Sequence, residues 1–137
     1  MLARATIPAL AAAALLVTGC GPPKAAKPGF FDLGSTASCL RDEGLEVQKN
    51  PRDLDFVSAT APAGALRSAL SGTAFVIAFG DSVDDAELLV KGYQRSAQTA
   101  LERKRLNSLL DREGNAVIYW HKEPTGAQSA SVISCLK

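Results

Sequence analysis

The stretch Thr73-Ala74-Phe75-Val76-Ile77-Ala78-Phe79 decides the fold class, because it is the clearest β-strand pattern in the chain. Successive side chains of a strand point to opposite faces. One face therefore carries three large apolar side chains and the other carries three smaller ones: Phe75, Ile77 and Phe79 against Ala74, Val76 and Ala78. Because both faces are apolar, we predict a central strand with helices over one side and with its small-residue side largely shielded.

The residues before this strand predict its hairpin partner. Residues 65–70 suit a second strand, and Ser71 with Gly72 suits the tight turn between the two. Alanine and leucine favour helix, so a turn of helix over residues 65–70 is the alternative. Residues 45–48 alternate apolar and polar side chains, as a half-buried strand does.

The residues after the strand predict a long amphipathic helix over residues 83–101. Ser82 and Asp85 have the spacing of a capping box at its start. Apolar residues recur at spacings of three and four and form one stripe, which includes Ala86, Leu89, Val90, Tyr93, Ala97 and Ala100. The basic residues 103–105 near the end complement the helix dipole.

The N-terminal part of the domain predicts one short helix and an irregular segment. Ser35 or Thr36 is predicted to cap a helix that runs through Glu43 and stops at Gly44. Residues 52–64 lack periodicity, and we predict an irregular segment held by three apolar side chains, Leu54, Phe56 and Val57.

The C-terminal part predicts a strand and a final helix. Residues 106–112 fit either a last helical turn or an edge strand, and residues 116–121 predict a strand. A loop over residues 124–128 precedes a helix, which Ser129 or Ser131 would cap. We therefore predict an α+β fold over residues 30–137, a small ferredoxin-like sandwich. It would have a three- or four-stranded antiparallel or mixed sheet with helices on one face.

The charge balance argues against a nucleic-acid partner. The chain has 15 basic and 14 acidic residues, and Arg4 is the one charged residue among the first 19. Without those 19 residues, basic and acidic residues are equal in number. Because nucleic-acid binders carry a clear basic excess, we expect no nucleic-acid partner. We separately expect the protein to be a monomer.

The first 19 residues have the layout of a secretory signal. Arg4 precedes an apolar run over residues 7–17 that is too short for a bilayer, which needs roughly 20 apolar residues. The run ends in Val17-Thr18-Gly19-Cys20, which resembles the lipobox of bacterial lipoproteins. The resemblance implies that residues 1–19 are removed and that Cys20 carries the lipid. The alternative is an ordinary signal peptide cut near residues 11–14, with Cys20 unmodified.

Residues 20–29 predict a tether between lipid and domain. The sequence Gly-Pro-Pro-Lys-Ala-Ala-Lys-Pro-Gly over residues 21–29 lacks apolar periodicity. As a polyproline-like segment it would reach roughly 28 Å. We expect it to hold the domain off the membrane on the extracytoplasmic side.

Two cysteines remain after Cys20, and they predict a disulfide. An even pair in an oxidising compartment is typical of a structural bridge, so we predict that Cys39 pairs with Cys135. The alternative is a redox-active pair. Such pairs are usually Cys-x-x-Cys, whereas these two cysteines are far apart in the sequence.

Several residues could carry chemistry, but none completes a known set. His121 is the only histidine, so a catalytic triad or a His–Cys pair would depend on it. Ser134 and Lys137 form an S-x-x-K without the other penicillin-binding motifs. Asp81, Asp84 and Asp85 could offer oxygens to calcium, but they lack the alternating ligands of a calcium loop.

The aromatic residues could line a groove, although their positions also suit a core: Tyr93, Tyr119, Trp120 and the phenylalanines. The sequence therefore predicts a non-enzymatic, lipid-anchored envelope module without cofactor or metal. It would bind a protein, a cell-wall fragment or a small ligand. The alternatives are a small envelope hydrolase that uses His121 and a thiol-redox lipoprotein that uses Cys39 and Cys135.

Overall fold

The computed structural model describes residues 29–137. The predicted signal peptide, Cys20 and the tether up to residue 28 lie outside these residues. Within the described part, no helix is long and apolar enough to cross a membrane.

Four antiparallel strands form one sheet in the order β1-β2-β4-β3. The strands are β1 (Ala65–Leu70), β2 (Thr73–Phe79), β3 (Leu110–Glu113) and β4 (Ala116–Trp120). Ile77 in the centre of β2 lies opposite Leu66 on one side and Ile118 on the other. Residues 65–70 are thus strand and not helix, and β2 is the central strand that its apolar faces predict.

Four α-helices surround the sheet in the described chain. They are α1 (Leu33–Asp42), α2 (Val83–Ser96), α3 (Ala100–Asn107) and α4 (Gly126–Ser134). The predicted α+β class with a small antiparallel sheet is confirmed. The connections are two hairpins joined by α2 and α3, which differs from the βαββαβ order of a ferredoxin-like sandwich.

The helices lie on both faces of the sheet, so the expectation of helices on one face is wrong. Phe75 and Ile77 of β2 pack in a core with Leu40 of α1 and Val132 of α4. The opposite face of β2 packs in a second core with the α2 side chains Ala86, Leu89 and Tyr93. The physical reason is that β2 is apolar on both faces, and each face removes apolar area from water only under a helix of its own.

Three helix boundaries differ from the predicted ones because other side chains provide the caps. Asp32 accepts the backbone N–H of Ser35, so α1 starts before Ser35 and Thr36. The predicted helix over residues 83–101 is divided, since Thr99 and Glu102 form a capping box that starts α3. Thr125 likewise caps α4, which therefore begins before Ser129 and Ser131.

The segment between α1 and the sheet is less regular than a strand. Residues 45–48 contribute one isolated bridge, between Gln48 and Arg67. Residues 52–64 are irregular as predicted, with two short 3₁₀ turns, Pro51–Asp53 and Ser58–Thr60. Leu54 and Val57 pack against the core under α2, as predicted. Phe56 is 86% exposed, so the prediction that its side chain helps to hold this segment is wrong.

The predicted disulfide is confirmed. Cys39 in α1 and Cys135 just after α4 are bonded, with their Cα atoms 5.4 Å apart and a sequence separation of 96 residues. The bond joins the first helix to the end of the chain along one face of the sheet. Cys135 is 1% exposed and Cys39 is half-buried, and both pack in the core that α1 and α4 cover.

A buried asparagine holds the beginning of the described chain against the sheet. The Asn115 side chain donates to the carbonyls of Phe31 (3.0 Å) and Gly80 (2.8 Å) and accepts the N–H of Phe31. Gly114 beside it has φ +52° and lies against Gly29, where a Cβ would meet the Gly29 backbone. The chain therefore enters the domain at the β3–β4 turn.

Candidate functional site

An open apolar groove beside α2 is the main candidate site in the described residues. Its cavity volume is about 780 Å³, within the range of roughly 300 to 1,000 Å³ that is usual for ligand sites. It lies between α2 and the irregular segment of residues 55–62, with Tyr119 of β4 and Leu106 of α3 also lining it. The residues that define it are Phe56, Val57, Leu88, Leu89, Gly92 and Tyr93.

Helix periodicity supplies one wall of the groove. Asp85, Leu89, Gly92 and Ser96 follow one another at spacings of four, three and four, so they lie along one face of α2. At Gly92 an added Cβ would lie 3.1 Å from a methyl group of Val57. The glycine therefore lets the irregular segment approach the helix closely.

Two large apolar side chains stand exposed at the edges of the groove. Phe56 is 86% exposed and Leu88 is 59% exposed. Exposed apolar groups that flank a concave surface are typical of interaction sites. Because Phe56 and Leu88 lie on opposite walls, a molecule in the groove would cover both of them.

The Asp55 carboxylate holds the irregular segment in place. One oxygen accepts the backbone N–H groups of Val57 and Ser58, both at 3.0 Å. The other accepts the hydroxyls of Ser58 at 2.7 Å and Tyr93 at 2.9 Å. A carboxylate has about four acceptor positions, so Asp55 is fully used within the protein. It positions the groove and is not a contact for a ligand.

The Tyr93 hydroxyl is held in its neutral form. Burial raises the pKa of Tyr93 well above its ordinary value, and the nearby negative charge of Asp55 raises that pKa further. A phenolate at this place would lack hydration and would face the carboxylate that now accepts its hydrogen bond. Tyr93 therefore stays a neutral hydrogen-bond donor to Asp55 at alkaline pH values at which an exposed tyrosine begins to ionise.

We expect alkaline pH to destabilise the domain through Tyr93. Above pH 10, about the ordinary pKa of tyrosine, the unfolded chain loses this proton while the folded chain keeps it. The free energy of unfolding then falls by up to about 1.4 kcal/mol per pH unit. Urea unfolding between pH 8 and about pH 11 measures the effect. Tyr93→Phe should flatten the profile. Tyr119→Phe is the matched control, and equal profiles for the two variants would contradict the assignment.

The groove has one charged group towards each end. Asp85 and Arg95 lie ten residues apart on α2, about 15 Å along the helix axis. Neither side chain makes an ion pair with a described residue, whereas Lys91 and Glu87 on the same helix do pair with each other. A bound molecule therefore meets a carboxylate near one end, apolar walls in the middle and a guanidinium near the other end.

The structure does not assemble a catalytic set around His121. His121 is exposed, its ring centroid lies 5.5 Å from that of Tyr119, and its backbone N–H donates to the carbonyl of Ala74. Among residues 29–137, no serine or aspartate side chain is hydrogen-bonded to its ring. The hydrolase alternative therefore gains no geometric support.

The other residues that the sequence offered for binding or catalysis do not form a site in the described residues. Trp120 is fully buried, packs on Phe75 with ring centroids 5.0 Å apart, and donates to Asp111 at 3.0 Å. Ser134 donates to the carbonyl of Ser131 at 2.7 Å. In the described part of the chain, no three acidic, histidine or cysteine side chains are placed to hold a metal ion, and this includes Asp81, Asp84 and Asp85.

Sequence reasoning identified Tyr93, Tyr119 and the phenylalanines as groove candidates, and Phe56 is one of them, but it missed Leu88 and Gly92. Tyr93 and Tyr119 do line the groove, with ring centroids 4.7 Å apart. One signal could have indicated Leu88, since it widens the apolar stripe of α2 beyond what a core-facing helix needs. The sequence does not single out Phe56 among the five phenylalanines, because the segment around it has no periodicity.

Comparison of the chain with protein-family models, with curated proteins and with solved structures found no match.

Proposed function

We propose that this protein is a lipid-anchored, extracytoplasmic, non-enzymatic binding module. The observation that carries the anchoring is Val17-Thr18-Gly19-Cys20 at the end of a short apolar run, directly before a proline-rich segment. The Cys39–Cys135 bridge supports an oxidising compartment. The intact mass of the mature protein tests the proposal, because it should correspond to a chain that starts at Cys20 and carries fatty acyl groups.

The fixed entry point of the chain suits an anchored domain. Asn115 and Gly114 hold residues 29–31 at the β3–β4 turn. A tether that ends at a fixed point lets the domain turn about one place while the lipid stays in the membrane.

The groove beside α2 is the proposed binding site, and its occupant is an apolar peptide segment of an envelope protein. The open edges with Phe56 and Leu88 suit a partner that covers them, and exposed aromatic side chains are typical anchors of protein interfaces. Charge complementarity places a basic residue of the peptide near Asp85 and an acidic residue near Arg95. The two charges of the peptide would lie about 15 Å apart.

Selection from a library of random displayed peptides tests this binding site. We expect enriched sequences with an apolar centre and with a basic and an acidic residue at its two ends. Leu88→Asp should weaken their binding at least tenfold, since it places an unpaired charge in the apolar contact. Leu101→Asp is the matched control, because Leu101 is 77% exposed on a different helix and does not line the groove.

Other outcomes would overturn the peptide assignment. Enriched peptides that bind wild type and Leu88→Asp equally well would place the site elsewhere. Soluble cell-wall fragments serve as a second probe. Leu88-dependent binding of those fragments, without an enriched peptide motif, would assign the groove to the cell wall instead.

A further inference from the structure

Helix α3 is the least packed element of the described domain. None of its residues is buried, and only Leu106 is half-buried. The remaining side chains from Ala100 to Asn107 are exposed. Most helices in a protein are stabilised mainly by the packing of an apolar face. Helix α3 is stabilised instead by its capping box, formed by Thr99 and Glu102, and by a small contact with α2.

Three consecutive basic residues of α3 are exposed without an acidic partner. Arg103, Lys104 and Arg105 form no ion pair with any residue between positions 29 and 137. The one acid of the helix, Glu102, is used by the cap. Its carboxylate accepts the N–H groups of Gln98 at 2.8 Å and Thr99 at 2.9 Å. The positive charge of α3 is therefore open to an external partner.

The outward face of α3 combines this charge with an apolar group. Leu101, Lys104 and Arg105 are related by spacings of three and four, so they share one face, while Leu106 points towards the body of the domain. Leu101 is 77% exposed on that outward face. The helix dipole accounts for cations in the last turn, but it does not account for an exposed leucine one turn before Lys104 and Arg105 on the same face.

We propose that α3 is a docking surface for the anionic phospholipid headgroups of the membrane that carries the anchor. Lys104 and Arg105 would lie at the phosphate level, Leu101 would enter the interface between headgroups and acyl chains, and Arg103 would add positive charge near the membrane surface. A soluble phosphate would satisfy the cations but not Leu101, so the observations favour a bilayer. The inference rests on the proposed function, because three cations and one leucine bind weakly without an anchor.

The geometry of the tether permits this docking. The chain enters the domain at the turn that follows β3, whereas α3 directly precedes the start of β3. The entry point and α3 therefore lie at opposite ends of this strand. The four residues of β3 span about 13 Å. The tether reaches roughly 28 Å, so the lipid and α3 can contact one membrane at the same time.

Vesicle binding of the unlipidated mature chain, residues 20–137 with Cys20→Ser, tests the proposal. Phosphatidylcholine vesicles with about 30% phosphatidylglycerol should bind the chain at low salt, whereas vesicles of phosphatidylcholine alone should not. Neutralisation of Arg103, Lys104 and Arg105 to glutamine should lower the partition coefficient roughly 100-fold, since each basic residue contributes about fivefold. Leu101→Ser should weaken binding several-fold further.

Matched variants keep the test decisive. Arg41→Gln, Lys49→Gln and Arg52→Gln together remove the same charge from exposed positions elsewhere, and they should change binding little. Arg103→Lys with Arg105→Lys should retain it. An equal loss of vesicle binding in both triple variants would overturn the proposal. Binding that does not depend on phosphatidylglycerol would overturn it as well. Competition by soluble polyphosphate that does not depend on Leu101 would reassign α3 to a soluble polyanion.

The result is separable from that of the anchoring test. The vesicle experiment uses a chain without lipid, so it succeeds or fails whatever the mass of the mature protein shows. An unmodified Cys20 would remove the proposed anchor and leave the vesicle result in place. Loss of vesicle binding would remove only the docking surface.

Discussion

Cells that produce the Cys20→Ser variant should incorporate no labelled fatty acid into this protein, whereas the wild type should be labelled. The physical reason is that the resemblance assigns the lipid to one sulfur, that of Cys20. Each buried CH₂ of an acyl chain contributes about 0.8 kcal/mol to membrane binding, so two or more chains anchor a protein stably. The measurement is label incorporation, together with partition of the mature protein between detergent and aqueous phases.

The other two cysteines provide the matched controls for this experiment. Cys39→Ala and Cys135→Ala should keep the label, because these residues are bonded to each other within the domain. Label that persists in Cys20→Ser would contradict the anchoring proposal. A wild-type chain without label, or with a mature terminus other than residue 20, would contradict it equally.

Loss of the disulfide should lower the free energy of unfolding by about 4 kcal/mol. The bond closes a loop with a sequence separation of 96 residues. In the unfolded chain this cross-link removes much conformational entropy, so it destabilises the unfolded state relative to the folded one. Small domains are stable by only about 5 to 15 kcal/mol in total, so this loss is a large share. Urea unfolding of the wild type with and without reductant, and of Cys39→Ala with Cys135→Ala, measures it.

The double variant also distinguishes a structural bridge from a redox site. It should unfold at the same urea concentration with and without reductant, whereas the wild type should shift. The buried position of Cys135 predicts that the native bridge reacts slowly with mild reductants. A change below about 1 kcal/mol would contradict the stabilising role. Rapid reduction without unfolding would favour the redox alternative.

Local patterns predicted the sheet well and the helix boundaries poorly. The alternation in Thr73–Phe79 and Ala116–Trp120 is a property of the strands themselves, and both are central in the sheet. Helix starts depend on which hydroxyl or carboxylate reaches a backbone N–H. Several serine and threonine residues compete near each start. Thr99 and Thr125 prevail because Glu102 and Gln128 complete capping boxes with them.

The groove could not be predicted because its two walls come from distant parts of the chain. Asp55 and Tyr93 are separated by 38 residues, yet their hydrogen bond holds the irregular segment against α2. Phe56 and Leu88 are neighbours across the groove only in three dimensions. The unpaired basic residues of α3 could not be predicted either. The absence of acidic partners for them in the described chain depends on which distant segments fold near that helix.

The sequence by itself determined the α+β class, the central strand and the pairing of Cys39 with Cys135. The first two follow from the periodicity of apolar residues along the strands and helices. The pairing follows once the resemblance assigns Cys20 to the lipid, because two cysteines then remain. Only the tertiary structure decided that helices cover both faces, that Trp120 is core and that Phe56 and Leu88 flank a groove. Burial and proximity are the physical reason, because they depend on which distant segments fold against each residue.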